Sequence, residues 1–177
     1  MMPSIVAFDL SLTGTGWADS SGCGVLAPPS NVNRGIPRLQ WIRAGVLERA
    51  AGAALVVCEG YSFASRGRAI VSLGELGGVI RCALADSGIT SIDVPPSCRA
   101  LFATGRGNAS KEQVLAEAIR KLGYEGHSHD EADALWLRRM ALEHYGLATI
   151  TTGYERKRKA LATVDWPARS TLFAEAA

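Results

Sequence analysis

"IVAFDLSLTGTGWA", residues 5–18, is an apolar run that takes in one aspartate, Asp9, and then breaks into alternating threonine and glycine. Ile5 to Phe8 lack the polar alternation of a half-exposed strand, so the run reads as a strand covered on both faces. A carboxylate at the end of such a strand costs on the order of several kcal/mol unless something pairs with it. The rest of the chain has to supply the partner.

The pattern returns at "ALVVCEGYSF", residues 54–63, a short apolar run that ends on a lone carboxylate, Glu59, followed at once by Gly60. Between the two runs, "GWADSSG" and "CGVLAP" read as further strands joined by Gly and Ser turns, and "PPSNVN" breaks the chain. "RGIPRLQWIRAGVLERAAG" then sets Leu39, Ile42, Val46 and Leu47 on one helical stripe, with an end expected at Gly52. A helix follows in "AIVSLGELGGVIRCALADSG"; its glycines 74, 77 and 78 cost roughly 1 kcal/mol each against alanine, which suggests close approach by another backbone or helix. "ITSIDVPP" is a short strand stopped by Pro95 and Pro96, and next come a helical turn, a Gly-rich loop and a helix capped by Ser110. "HSHDEADALWLRRMALEHYG" is a last amphipathic helix with Leu135, Trp136 and Met140 in the core. A β meander followed by helix, strand, helix, strand and helices predicts an α/β domain, with helices covering a mixed sheet.

With 177 residues, 47% of them hydrophobic and 20% charged, the chain suits one globular domain. No window offers the roughly 18 unbroken apolar residues of a membrane helix, and "MMPSIVAFD" has no basic segment ahead of an apolar one, so a cytoplasmic protein with no membrane partner is expected. Cys23, Cys58, Cys82 and Cys98 form no C-x-x-C pair, which argues against a zinc cage or a disulfide framework. The net charge of +2 announces no nucleic-acid partner by itself. Arg156, Lys157, Arg158 and Lys159 cluster near the C-terminus and read as a solvated face or tail, so the chain divides into one domain over residues 1–150 and a basic tail over 151–177.

Asp130 and Asp133 stand three residues apart at the start of the last helix and project from one face. Alone, "DEAD" is explained by the helix dipole, which favours acids in the first turn. Together with Asp9 and Glu59 it suggests more, because ligands in α/β sheets sit at the carboxyl ends of strands. Four carboxylates converging there would repel one another unless cations lay between them, and oxygen ligands without cysteine point to hard cations such as Mg²⁺ or Mn²⁺.

"FDLSLTGTGWA", "VVCEGYSF", "SLGELGGVI", "NASKEQV" and "HDEADALWL" follow the order and approximate spacing of the RuvC-type Holliday junction resolvases, and residues 4 to about 145 resemble that family. The resemblance implies a ribonuclease-H-like fold, a mixed five-stranded sheet flanked by helices. It implies that Asp9, Glu59, Asp130 and Asp133 hold metal, Mg²⁺ with Mn²⁺ able to substitute and two ions per site, while Lys111 lies beside the scissile phosphate. It further implies a homodimer through the helix around Gly74 to Ala85, paired cuts across a four-way DNA junction, and 5′-phosphate and 3′-hydroxyl products. Asp9-Leu10-Ser11 replaces the Asp-Pro-Gly usual in the bacterial proteins and looks more like the phage-type branch. Tyr61 and Phe63 straddle the place of an aromatic that engages unstacked bases.

Arg66, Arg68, Arg99 and Arg106 read either as loop solubilisers or as phosphate contacts. His127 and His129 read as loop histidines near a helix cap, with His129 the better candidate for an accessory role; Glu131 is expected in solvent. Three rival functions remain open: a broader flap or fork nuclease, a junction-binding module without catalysis, and an actin-like ATPase-type phosphate binder. The last needs two such domains around a cleft, and a non-catalytic module would be marked by loss of an acidic position, which this chain does not show.

Overall fold

The computed structural model describes residues 4–60, 68–148 and 154–173, with the backbone only of 68–70 and 154. Strands β1 (Ile5–Asp9), β2 (Thr15–Ala18) and β3 (Cys23–Leu26) form the antiparallel meander, and α1 (Gly35–Ala50) leads to β4 (Leu55–Glu59). Next come α2 (Arg68–Asp86), β5 (Ser91–Val94), α3 (Pro96–Thr104), α4 (Lys111–Leu122), α5 (His129–His144), α6 (Tyr154–Ala162) and the short α7 (Arg169–Leu172). The sheet runs in the order β3-β2-β1-β4-β5, with β4 parallel to both β1 and β5. This is the expected mixed five-stranded sheet flanked by helices.

The unbroken apolar runs are explained by two cores. Ile5, Ala7, Leu55 and Val57 face α3, α4, α5 and α6, while Val6, Phe8, Val56 and Cys58 face α1 and α2. Because side chains alternate across a strand, a strand sandwiched by helices needs apolar residues at every position. Ile42 and Val46 of the predicted α1 stripe are fully buried, and Trp136 and Met140 of α5 fill the opposite core. Helix α1 stops at Ala50, two residues before Gly52, whose φ of 72° lies in the left-handed region that glycine favours.

The structure departs from expectation in three places. Pro96 opens a nine-residue helix, α3, where a single turn was expected, because its fixed φ suits a first helical position and Ala100, Phe102 and Ala103 bury its apolar face. The basic run near the C-terminus belongs to α6, which packs on α3: Ala160 is fully buried and Lys157 is 3% exposed, its Nζ donating to Glu143 Oε1 at 3.3 Å. Arg156, Arg158 and Lys159 do face solvent. Glu131, expected in solvent, is half-buried and accepts a 2.7 Å hydrogen bond from the Tyr124 hydroxyl. Among the described residues no helix is long and apolar enough to cross a membrane.

Candidate active site

The register that pairs Phe8 with Cys58 leaves Asp9 and Glu59 side by side at the carboxyl ends of two parallel strands. Helix α5 crosses those ends. The backbone carbonyl oxygen of Asp130 comes so close to β2 that a Cβ at Gly16 would lie 2.0 Å from it, which is why glycine stands opposite Asp9. Thr15 closes the turn between β1 and β2, its hydroxyl donating to Ser11 O at 2.8 Å and accepting from Ser11 N at 3.1 Å. The Thr/Gly alternation is thus a turn clasp and a bed for the helix start.

On α5 the Ser128 side chain accepts from Glu131 N at 3.3 Å and caps the first turn, which sets Asp133 one turn further in. Asp9, Glu59 and Asp133 each offer an oxygen, and these three atoms lie within 4.8 Å of one another. Among the described residues no other group of three His, Cys, Asp or Glu converges in this way. Asp130 is not part of that triad. It lines the mouth of the same cleft of about 320 Å³ with Asp9, Ser11, Glu59 and Lys111, and the Lys111 Nζ stands 4.0 Å from its Oδ1.

Arg99, grouped by sequence with the surface cations, is inside the cluster and only 6% exposed. Its Nε donates to Glu59 Oε1 at 2.5 Å, and its Nη1 donates to Asp133 Oδ1. The signal that could have found it is periodicity: Arg99 shares the buried face of α3 with Phe102 and Ala103 at i+3 and i+4, where an arginine demands buried acids.

One guanidinium does not balance three carboxylates. Burial first, and then the charges of Glu59 and Asp133, hold the Asp9 carboxyl well above the usual range against the pull of Arg99. Burial likewise pushes Asp133 up to about 6, with Arg99 opposing and Glu59 reinforcing. Burial works against the Arg99 charge, but the carboxylates outweigh it and hold the guanidinium protonated. Asp133, 1% exposed, keeps its Oδ2 without any hydrogen-bond partner. An all-oxygen donor set with excess negative charge and one orphaned buried oxygen fits a hard divalent cation.

Of the remaining candidates, two have described side chains. Arg106 is exposed in the turn between α3 and α4. His129 opens α5 with its Nδ1 buried and unpartnered. Tyr61, Phe63 and Arg66 fall outside the described residues, as does the side chain of Arg68. On α2, Leu76, Ile80 and Leu84 face the core, whereas a Cβ at Gly74 or Gly78 would meet nothing within 4 Å and Val71 is 62% exposed. Among the described residues no side-chain or backbone atom crowds the Cβ position of either glycine.

No protein-family model matches the chain. It is 37% identical over 116 residues to a crossover junction endodeoxyribonuclease RuvC from Anaeromyxobacter sp. (strain Fw109-5), a match that covers 64% of this chain and 56% of that protein. The chain thus spans about half the length of the curated relative it matches. Among solved structures it is similar to Thermus thermophilus RuvC, with a TM-score of 0.64 at 20% identity over 81% of this chain and 96% of that one. The same protein in complex with a Holliday junction substrate gives a TM-score of 0.62 at 20% identity over 77% and 90% of the two chains. Fowlpox virus resolvase, in complex with substrate Holliday junction DNA, gives 0.51 at 16% identity over 80% and 97%. The fold of this chain is that of the RuvC structures.

Proposed function

We propose that this chain is a RuvC-type, divalent-metal-dependent endodeoxyribonuclease that cuts four-way DNA junctions in the cytoplasm as a homodimer. The observation that carries the reading is the meeting of Asp9, Glu59 and Asp133, from three separate elements, within 4.8 Å at the carboxyl ends of parallel strands. The named activity of the Anaeromyxobacter relative and the Holliday junction DNA bound to both structural neighbours support the substrate class. The aspartate-leucine-serine form at Asp9 favours the phage-type branch.

In this reading Asp9, Glu59, Asp130 and Asp133 hold two Mg²⁺ ions, with Mn²⁺ able to substitute. The bound ions would polarise the phosphodiester and lower the pKa of the attacking water. Water adds to phosphorus, the bond to the 3′ oxygen breaks, and that oxygen leaves protonated, giving a 5′-phosphate and a 3′-hydroxyl. Lys111, with a 61% exposed side chain on the rim of the cleft, brings positive charge to the phosphate as its negative charge grows. Arg66, Arg68 and Arg106 contact the DNA backbone, Tyr61 and Phe63 engage unstacked bases, and His129 is accessory. The open stripe of α2 around Val71 and Gly78 is the dimer face. Recognition by phosphates predicts junction binding that weakens steeply with salt.

The test is cleavage of a labelled four-way junction beside a flap and a linear duplex, with Mg²⁺, with Mn²⁺ and with EDTA. Paired, metal-dependent nicks confined to the junction are expected. Equal cutting of flaps would remove the junction selectivity, and absence of cutting would leave only a binding module.

A further inference from the structure

Arg99 is an unusual occupant for a site of this charge. A guanidinium presents a planar fork of donors, and here two of its nitrogens face two different carboxylates that converge on one point. It takes one oxygen from Glu59 and one from Asp133, and a carboxylate oxygen so engaged is not free to ligate a cation. The side chain reaches the cluster from α3: neither Arg99 nor Asp133 lines the cleft, which Asp9, Glu59, Asp130 and Lys111 do.

Charge decides what the cluster still lacks. With all four ionised, as metal ligation requires, the carboxylates of Asp9, Glu59, Asp130 and Asp133 face the cations of Arg99 and Lys111, while Arg81, which also lines the cleft, is offset by its partner Asp93; two negative charges are left, the charge of one divalent ion. The donors agree, because Asp133 Oδ2 is buried and unpartnered while Asp133 Oδ1 is taken by Arg99.

We infer that Arg99 is a built-in counter-cation that holds the place of the second divalent ion, so that the DNA-free protein binds one divalent ion per chain. This rests on the metal-dependent reading above. Arg99 is a positioning residue: it keeps Glu59 and Asp133 together before metal arrives, and a second ion enters only when the guanidinium gives up its carboxylates.

Mn²⁺ binding to the full DNA-free chain, counted by loss of the free-ion EPR signal with Asp9→Asn as the baseline, tests the inference. The wild type saturates at one Mn²⁺ per chain above that baseline. Arg99→Gln takes two, the first at least about ten-fold more tightly, because a buried positive charge close to the ion is gone. Arg99→Lys keeps the charge and stays at one. Two equivalent ions in the wild type, or a folded Arg99→Gln that binds one ion with unchanged affinity, would overturn the inference while leaving the metal site in place. Should Arg99→Gln not fold, as judged by circular dichroism, the wild-type and Arg99→Lys counts decide. Wild type and Asp9→Asn binding Mn²⁺ alike would defeat the metal reading itself, and the inference with it.

Discussion

Helix α5 carries a buried acid near each end, and the two sites are built to opposite rules. Near its C-terminal end Glu143, 6% exposed, accepts from Arg139 Nε at 2.7 Å and from Lys157 Nζ at 3.3 and 3.4 Å, so both of its oxygens are partnered and cations outnumber the acid. Near its N-terminal end Asp133 shares one arginine with Glu59, stands beside Asp9, and leaves an oxygen unsatisfied. A closed cluster fastens one element to another; an open one with excess negative charge stores unfavourable free energy that a bound cation, a proton or loss of a charge relieves. Burial of an acid therefore does not mark a functional site. The charge left over after every neighbour has been counted does.

The largest effect is expected at the closed end. Glu143→Ala leaves Lys157, whose ammonium burial already disfavours, without its compensating carboxylate between α5, α6 and the ring of Phe102. Removing one partner of a buried pair costs about 3–5 kcal/mol. For a chain of this size that is roughly 6–20 °C in melting temperature. Mn²⁺ affinity should not change. A thermal melt and a metal titration on the same variant check both halves, and a loss of metal affinity would mean that the two ends of α5 are coupled.

The open end should answer in the opposite sense. Asp9→Asn removes a carboxylate held well above its usual pKa by burial and by its acidic neighbours, so the metal-free protein melts higher, not lower. The same variant loses the stabilisation that Mg²⁺ or Mn²⁺ gives the wild type, and cleavage falls at least about a hundredfold, some 2.7 kcal/mol of transition-state stabilisation. Junction binding by gel shift is retained. Scanning fluorimetry with and without metal, alongside the cleavage assay, separates these readouts; a lower metal-free melting point in Asp9→Asn would erase the distinction between the two clusters.

The two ends also differed in how far the sequence exposed them. Asp9 and Glu59 were legible because each terminates an unbroken apolar run, and a lone charge in such a run needs a reason. Asp133 followed from its spacing to Asp130 and from the position of a helix that had to cross the strand ends. Strands β1 and β4 were legible for the same reason, since burial on both faces leaves no polar alternation, whereas β2, β3 and β5 were marked by the Gly, Ser and Pro residues that bound them. Arg99 and Lys157 were not legible. An arginine after two prolines and a lysine inside a run of four cations look solvated; the period of α3 puts Arg99 on a face with Phe102 and Ala103, but the packing of α3 against α5 and of α6 against α3 supplies the acids that turn both inward. Local composition reports a side chain's own preference, whereas a buried cation is chosen by the acid that a distant element brings to it.

The smallest of the three expected effects is also the one that tests how the open cluster is aligned. Gly16 pairs with Asp9 across β1 and β2, and its missing side chain lets the Asp130 carbonyl settle on the strand. In Gly16→Ala the new methyl would meet backbone, not a flexible side-chain tip, so the start of α5 must move outward and carry Asp133 with it. Overpacking of this kind costs about 1–3 kcal/mol, roughly 2–12 °C in melting temperature. Because the displaced element holds one of the three converging carboxylates, Mn²⁺ affinity falls too, whereas Glu143→Ala lowers stability alone. If Gly16→Ala melted lower but bound Mn²⁺ as the wild type does, the carboxylate cluster would be shown to tolerate movement of α5. The burden of alignment would then pass from the bare glycine to the fork of Arg99.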